Sequence, residues 1–85
     1  MIDYETLLAL RYLLEQRHIS RAAQLAGVTQ PAMSRTLMRL AKIFADPLLV
    51  RTAHGLDLTP RAQALYPQLI LTLSQMQALI RPEHF

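Results

Sequence analysis

A carboxamide, a hydroxyl and a guanidinium, carried by Gln30, Ser34 and Arg35, stand at i, i+4 and i+5 directly after Thr29. Thr29 is suited to cap a helix and Pro31 to sit in its first turn, so these groups project from the start of one helix. With the short side chains of Thr29 and Ala32 they make a surface for reading hydrogen-bonding edges and methyl groups, not for making bonds. Cations surround them. Residues 17–61 hold Arg17, Arg21, Arg35, Arg39, Lys42, Arg51 and Arg61 against only Asp46 and Asp57. The two ends hold Arg11 and Arg81 against Asp3, Glu5, Glu15 and Glu83. A basic middle between acidic ends points to a polyanionic partner for one face, although charge alone describes a solvated Arg-rich surface equally well.

The inventory speaks against catalysis. No cysteine is present, which excludes a disulfide scaffold, a thiolate zinc site and a cysteine nucleophile and fits a reducing cytosol. His18, His54 and His84 are far apart with no second ligand at i+3 or i+4, so no metal or other cofactor is expected. Neither a Ser/His/Asp set nor a glycine-rich phosphate loop stands out. A chain of 85 residues forms at most one domain with little core to spare for a buried pocket. With 52% hydrophobic and 18% charged residues it is not a disordered chain. The acidic start Asp3-Tyr4-Glu5 lacks the basic region of a signal peptide, so no targeting segment is read there.

The elements that must position these groups are mainly helical. Residues 3–17 read as a helix with two apolar stripes, Leu7-Leu10-Leu14 and Tyr4-Leu8-Tyr12, sandwiched between two partners. Ser20 is read as the cap of a short helix that stops at Gly27. Thr29 caps the next, where Met33, Leu37, Leu40 and Phe44 make a core stripe, and Asp46-Pro47 ends it. Residues 48–52 and 56–58 form a small hairpin across Ala53-His54-Gly55. Thr59-Pro60 opens a last helix to about residue 80, which Pro67 should bend.

Residues 62–80 contain no charge. Scattered glutamines and hydroxyls speak against a membrane span, and Leu65, Leu69, Leu73, Met76 and Ile80 approximate a heptad seam. No other part of so short a chain is expected to cover that stripe, so it is assigned to a dimer interface with a second copy.

Helix 20–26, Gly27 and helix 30–44 have the spacing of a helix-turn-helix. Ala23 sits four before the turn glycine, where the helices pack closest. Val28, Met33 and Leu37 fill the angle between them. Arg35 and Lys42, flanked by Met38 and Arg39, lie opposite the core stripe. Such a helix meets base edges with its N-terminal residues and phosphate with its cations. Against this, Gln30 and Ser34 could be a merely exposed first turn, and Arg39 could pair with Asp46 or Glu15.

The run from Ser20 to Arg35, with its Thr29-Gln30-Pro31-Ala32-Met33-Ser34 core, resembles the winged helix-turn-helix of LysR-type transcriptional regulators. The likeness continues through Arg39-Leu40, residues 46–52, Gly55 and Leu58-Thr59. It implies a winged DNA-binding domain over residues 1–59, with a three-helix core and a two-stranded wing. A dimerising linker helix over 60–81 follows, then residues 82–85 as the start of a hinge to an effector-binding domain. The resemblance places Gln30, Pro31, Ser34 and Arg35 in the major groove and Ser20 and Arg51 on the backbone nearby. Arg21, Thr29, Ala32, Arg39, Lys42 and His54 complete the expected DNA-binding set. The implied partner is a pseudo-palindromic double-stranded operator, bound by a cytoplasmic bacterial homodimer, or a tetramer in a full-length parent. A small-molecule effector would enter only through the further domain, and no membrane partner is implied.

Three positions depart from the family pattern. His54 stands where a wing-tip arginine is common, and a neutral imidazole weakens that minor-groove contact. Ala41 replaces a glutamate after Leu40. The usual glycine near Ala45 is missing, with Asp46-Pro47 expected to end the helix instead. The competing reading is a helical interaction module that dimerises without touching DNA. The concentration of Arg35, Lys42 and Arg51 around this helix start speaks against it.

Overall fold

The computed structural model of the chain describes residues 2–81, so the expected hinge at 82–85 lies outside the described residues. Six elements follow in order: α1 (Tyr4–Gln16), α2 (Ile19–Ala26), α3 (Gln30–Phe44), β1 (Leu49–Thr52), β2 (Gly55–Leu58) and α4 (Pro60–Ile80). Helix α1 starts at Asp3, whose carboxylate accepts the Thr6 backbone N–H at 2.8 Å. This carboxyl is held below its ordinary value, chiefly by the hydrogen bonds from Thr6. Helix α1 ends as Arg17 turns into the left-handed region at φ 48°.

The cap of α2 differs from expectation. His18, not Ser20, stands at the N-cap, and its Nδ1 accepts the Arg21 backbone N–H at 3.1 Å. The helix therefore begins at Ile19 and carries Ser20 in its exposed first turn. An imidazole nitrogen can serve any orphan N–H within its reach, which is why the preference for hydroxyls pointed two residues too far.

Gly27 takes φ 71° at the end of α2, and the Val28 N–H returns to the Ala23 carbonyl at 3.0 Å. Ala23 is buried, as the close approach of the two helices requires. Val28 is not: it is 45% exposed, so Met33 fills the angle between the helices without it. The tight bond to Ala23 holds the Val28 backbone inward and leaves its side chain at the rim.

Thr29 caps α3 by accepting the Ala32 N–H, Pro31 lies in its first turn, and Met33 and Leu40 are buried beneath it. The far end of α3 is made differently from the expected Asp46-Pro47 stop. Ala45 itself adopts the left-handed conformation, φ 53° and ψ 41°, that a glycine would take there. The Asp46 and Ala45 N–H groups then bond back to the Ala41 and Lys42 carbonyls, closing the helix as a Schellman turn does. Asp46 has another task. Its Oδ2 accepts the Leu48 N–H at 2.8 Å and the Thr59 hydroxyl at 2.6 Å. Leu48, fully buried at φ 68°, is thereby held between the end of α3 and the start of α4.

Strands β1 and β2 pair antiparallel, Leu49 with Leu58 and Thr52 with Gly55, around a two-residue tip of Ala53 and His54. Thr59 caps α4 through the Ala62 N–H, and the helix continues through Pro67 to Ile80. It runs antiparallel to α1: Tyr66 donates to Glu15 near one end, and Gln77 donates to the Tyr4 hydroxyl near the other. Between these points Leu69 and Leu73 are buried in the same core as Leu10, Leu13 and Leu14. The sandwiching of α1 is thus between α2 and α3 on one side and α4 on the other.

This arrangement corrects the seam expected on α4. Leu69 and Leu73 are covered by the chain's own α1, with Leu65 partly buried against the same cluster. Periodicity reported an apolar stripe correctly but carried no information on which neighbour covers it. Met76 is half-buried, and only Ile80 of the five is openly exposed, at 66%.

Candidate nucleic-acid interface

The capping of α3 at Thr29 brings its first turn to the surface beside α2 and the wing. A shallow notch there is lined by Arg17, His18, Ser20, Gln30, Arg51 and Gly55, among others. Ser20, Gln30 and Arg51, separated widely in sequence, therefore meet in one place. Arg17 and His18 join them although the reading of motifs did not single them out as contacts. No motif marked His18, because the cap of α2 was expected at Ser20; His18 caps α2 and Arg17 ends α1, which places both at the entry to the helix-turn-helix.

The outer face of α3 carries Pro31, Arg35, Met38, Arg39 and Lys42, all exposed, with Ser34 half-buried at its edge. Gln30 Nε2 donates to Ser34 Oγ at 3.4 Å, one helical turn on. Thr29 and Ala32 flank the same start, the hydroxyl of Thr29 being committed to its cap. Arg21 is exposed in the first turn of α2, its N–H held by His18. His54 stands exposed at the wing tip, where its own N–H donates to the Thr52 hydroxyl.

The cations divide into engaged and free. Among the described residues the ion pairs are Arg11 with Glu15 at 3.1 Å and Arg17 with Asp57 at 3.3 Å. Arg21, Arg35, Lys42 and Arg51 form none among these residues. Arg39 is different. Its Nη2 donates to the Thr6 hydroxyl at 2.8 Å, tying α3 to α1 across 33 positions of chain. Neither Asp46 nor Glu15 holds it, because Asp46 is engaged by Leu48 and Thr59 and Glu15 by Arg11 and Tyr66. The Glu15 carboxylate in turn raises the pKa of the Tyr66 phenol by holding its proton.

A three-helix core whose second and third helices form a tight turn, followed by an antiparallel two-stranded wing, defines a winged helix-turn-helix protein. The family described as "Bacterial regulatory helix-turn-helix protein, lysR family" matches residues 4–63. The chain is 43% identical over 81 residues to the HTH-type transcriptional regulator SyrM 1 of Sinorhizobium fredii, a match covering 95% of this chain and 24% of that protein. Among solved structures it is similar to Vibrio fischeri DarR in complex with DNA, with 28% identity and a TM-score of 0.85 over 94% of this chain and 27% of that one. The BenM DNA-binding domain bound to its benA site 1 shares the fold, with a TM-score of 0.83 at 23% identity over 93% of this chain and 89% of that one.

The chain belongs to the LysR family of bacterial regulators and is its winged helix-turn-helix DNA-binding domain. It spans about a quarter of the length of the curated relatives it matches, and those relatives are regulators of transcription, not enzymes. Among the described residues no helix is long and apolar enough to cross a membrane.

Proposed function

We propose that the chain binds a pseudo-palindromic double-stranded operator as a homodimer in the bacterial cytoplasm, with α3 in the major groove. The observation that carries this reading is the outer face of α3. Its free cations, Arg35 and Lys42, continue along one face from the polar start at Gln30, which itself lines the Arg51 notch, and no carboxylate among the described residues pairs with them. Phosphate would meet Lys42, Arg51, Arg21 and Ser20, while Gln30 and Arg35 meet base edges and His54 approaches the minor groove. That DarR, which is similar in fold, was solved in complex with DNA supports DNA as the partner. Gln30→Ala and Arg35→Ala should each cost about 1–3 kcal/mol on a selected duplex and less on random DNA, measured by fluorescence anisotropy. Lys42→Ala should weaken both duplexes alike and make the log-salt slope shallower by about one. Equal losses on selected and random DNA for Gln30 and Arg35 would make them phosphate contacts and remove the base-reading role.

Dimerisation is proposed on a surface that keeps only Leu65 and Ile80 of the sequence-derived seam. A groove between α1 and α4 is lined by Leu7, Leu10, Phe44, Leu65, Gln68 and Thr72, and Leu79 and Ile80 stand 83% and 66% exposed beyond it. In two antiparallel α4 helices crossing near Thr72, Leu79 of one copy lies opposite Leu65 of the other, seven residues either side of the crossing. Each copy would then offer its apolar end to its partner's groove. Leu79→Glu with Ile80→Glu should leave the fold intact and yield a monomer in sedimentation, with operator affinity falling to that of a half-site. A dimer that survives both charges would place the contact elsewhere.

A further inference from the structure

We infer that Met38 is a specificity-determining residue that reads the C5 methyl group of a thymine in the major groove. This rests on the proposal that α3 enters that groove. Met38 is 64% exposed, seven residues after Pro31, four after Ser34 and four before Lys42. These spacings put it on the outward face, opposite buried Met33 and Leu40. Ile43, the other large apolar residue exposed on α3, lies five positions on and so falls on a different side of the helix.

This long apolar side chain between Arg35 and Lys42 stands outside the hydrophobic core of the described residues. Against a phosphate backbone it would have no apolar partner either. The major groove offers one apolar group, the thymine methyl, and otherwise presents only donors and acceptors. The unbranched thioether of methionine can bend to meet that group without demanding one geometry. Position sets where the thymine must be. Eight residues of helix separate Gln30 from Met38, about 12 Å of rise. At about 3.4 Å per base pair the thymine lies at most three or four pairs from the base read by Gln30.

The test uses the duplex that the wild-type chain enriches from a random pool. Each thymine in turn is replaced by deoxyuridine, which keeps every hydrogen-bonding group and removes only the methyl. Wild type should lose about fourfold in affinity per half-site at one thymine, the value of a single buried methyl group. Met38→Ala should bind the thymine duplex correspondingly more weakly and be indifferent to uracil there, while Met38→Leu keeps the discrimination. Met38 is exposed, so the alanine variant keeps the fold, which circular dichroism checks. If every uracil substitution costs wild type and Met38→Ala the same, the inference is overturned. Gln30→Ala separates the two levels of the argument: when it still relaxes specificity, only the role of Met38 has failed, and when it too has no effect, α3 is not the reading helix.

Discussion

Ala45→Gly should make this domain more stable, against the usual rule that glycine weakens helices. Ala45 holds φ 53° and ψ 41° at the end of α3. There its Cβ crowds the following carbonyl, at a cost of about 1–2 kcal/mol for an L residue. Glycine removes that cost, but its freer unfolded chain returns about 0.4–1 kcal/mol of it. Ala45 is exposed, so no buried contact is lost. The net gain is about 0.5–1 kcal/mol, or a rise in Tm of about 3–6 °C for a domain of this size. Gly27→Ala supplies the opposite sign at the matching end of α2. Its φ is 71° and a Cβ built there meets no atom within 4 Å beyond its chain neighbours, so the penalty is backbone strain less the same unfolded-chain term, a net loss of about 0.5–1 kcal/mol. Thermal melts at one fixed protein concentration measure both, since association shifts Tm by mass action. A fall in Tm for Ala45→Gly, or an unchanged Tm for Gly27→Ala, would refute the assignment of strain to these two caps.

Asp46→Asn should destabilise the domain at neutral pH and converge with wild type in acid. The Thr59 hydroxyl and then the Leu48 N–H hold the Asp46 carboxyl below its ordinary value of 3.8. A depressed carboxyl contributes stability above the unfolded value, and that contribution disappears as pH falls through the folded one; urea midpoints between pH 7 and 2.5 follow the difference. Leu69→Glu with Leu73→Glu should abolish helical circular dichroism altogether, because both sites are inside the core of a single chain and an unpaired charge there is poorly tolerated. Leu73→Ala alone should cost about 2–5 kcal/mol in chemical denaturation. A folded monomer from the double glutamate variant would return these residues to an interface between copies.

Much of this architecture was legible because its signals are local. Thr29 with Pro31 and Thr59 with Pro60 marked two helix starts to the residue, since a cap bonds within three positions of itself. Gly27 marked the tight turn because its backbone angle excludes most other residues. The buried Met33 and Leu40 face of α3, opposite Arg35, followed from helical periodicity. Where a local rule admits several residues, it was less sharp. His18 displaced Ser20 as a cap, and Ala45 took the glycine conformation without being glycine.

What only the tertiary structure decided is pairing across the chain. Arg39 had three plausible partners in sequence, Asp46, Glu15 and phosphate, and instead reaches Thr6 on α1. The apolar stripe of α4 was visible in sequence, but whether α1 or a second copy covers Leu69 and Leu73 depends on how the antiparallel helices close. The meeting of Ser20, Gln30 and Arg51 in one notch likewise depends on three elements arriving together. Caps and periodicities are set by neighbours a few residues apart. Burial and the partner of a long side chain are set by whichever distant segment excludes water first, and that information resides in the packed fold.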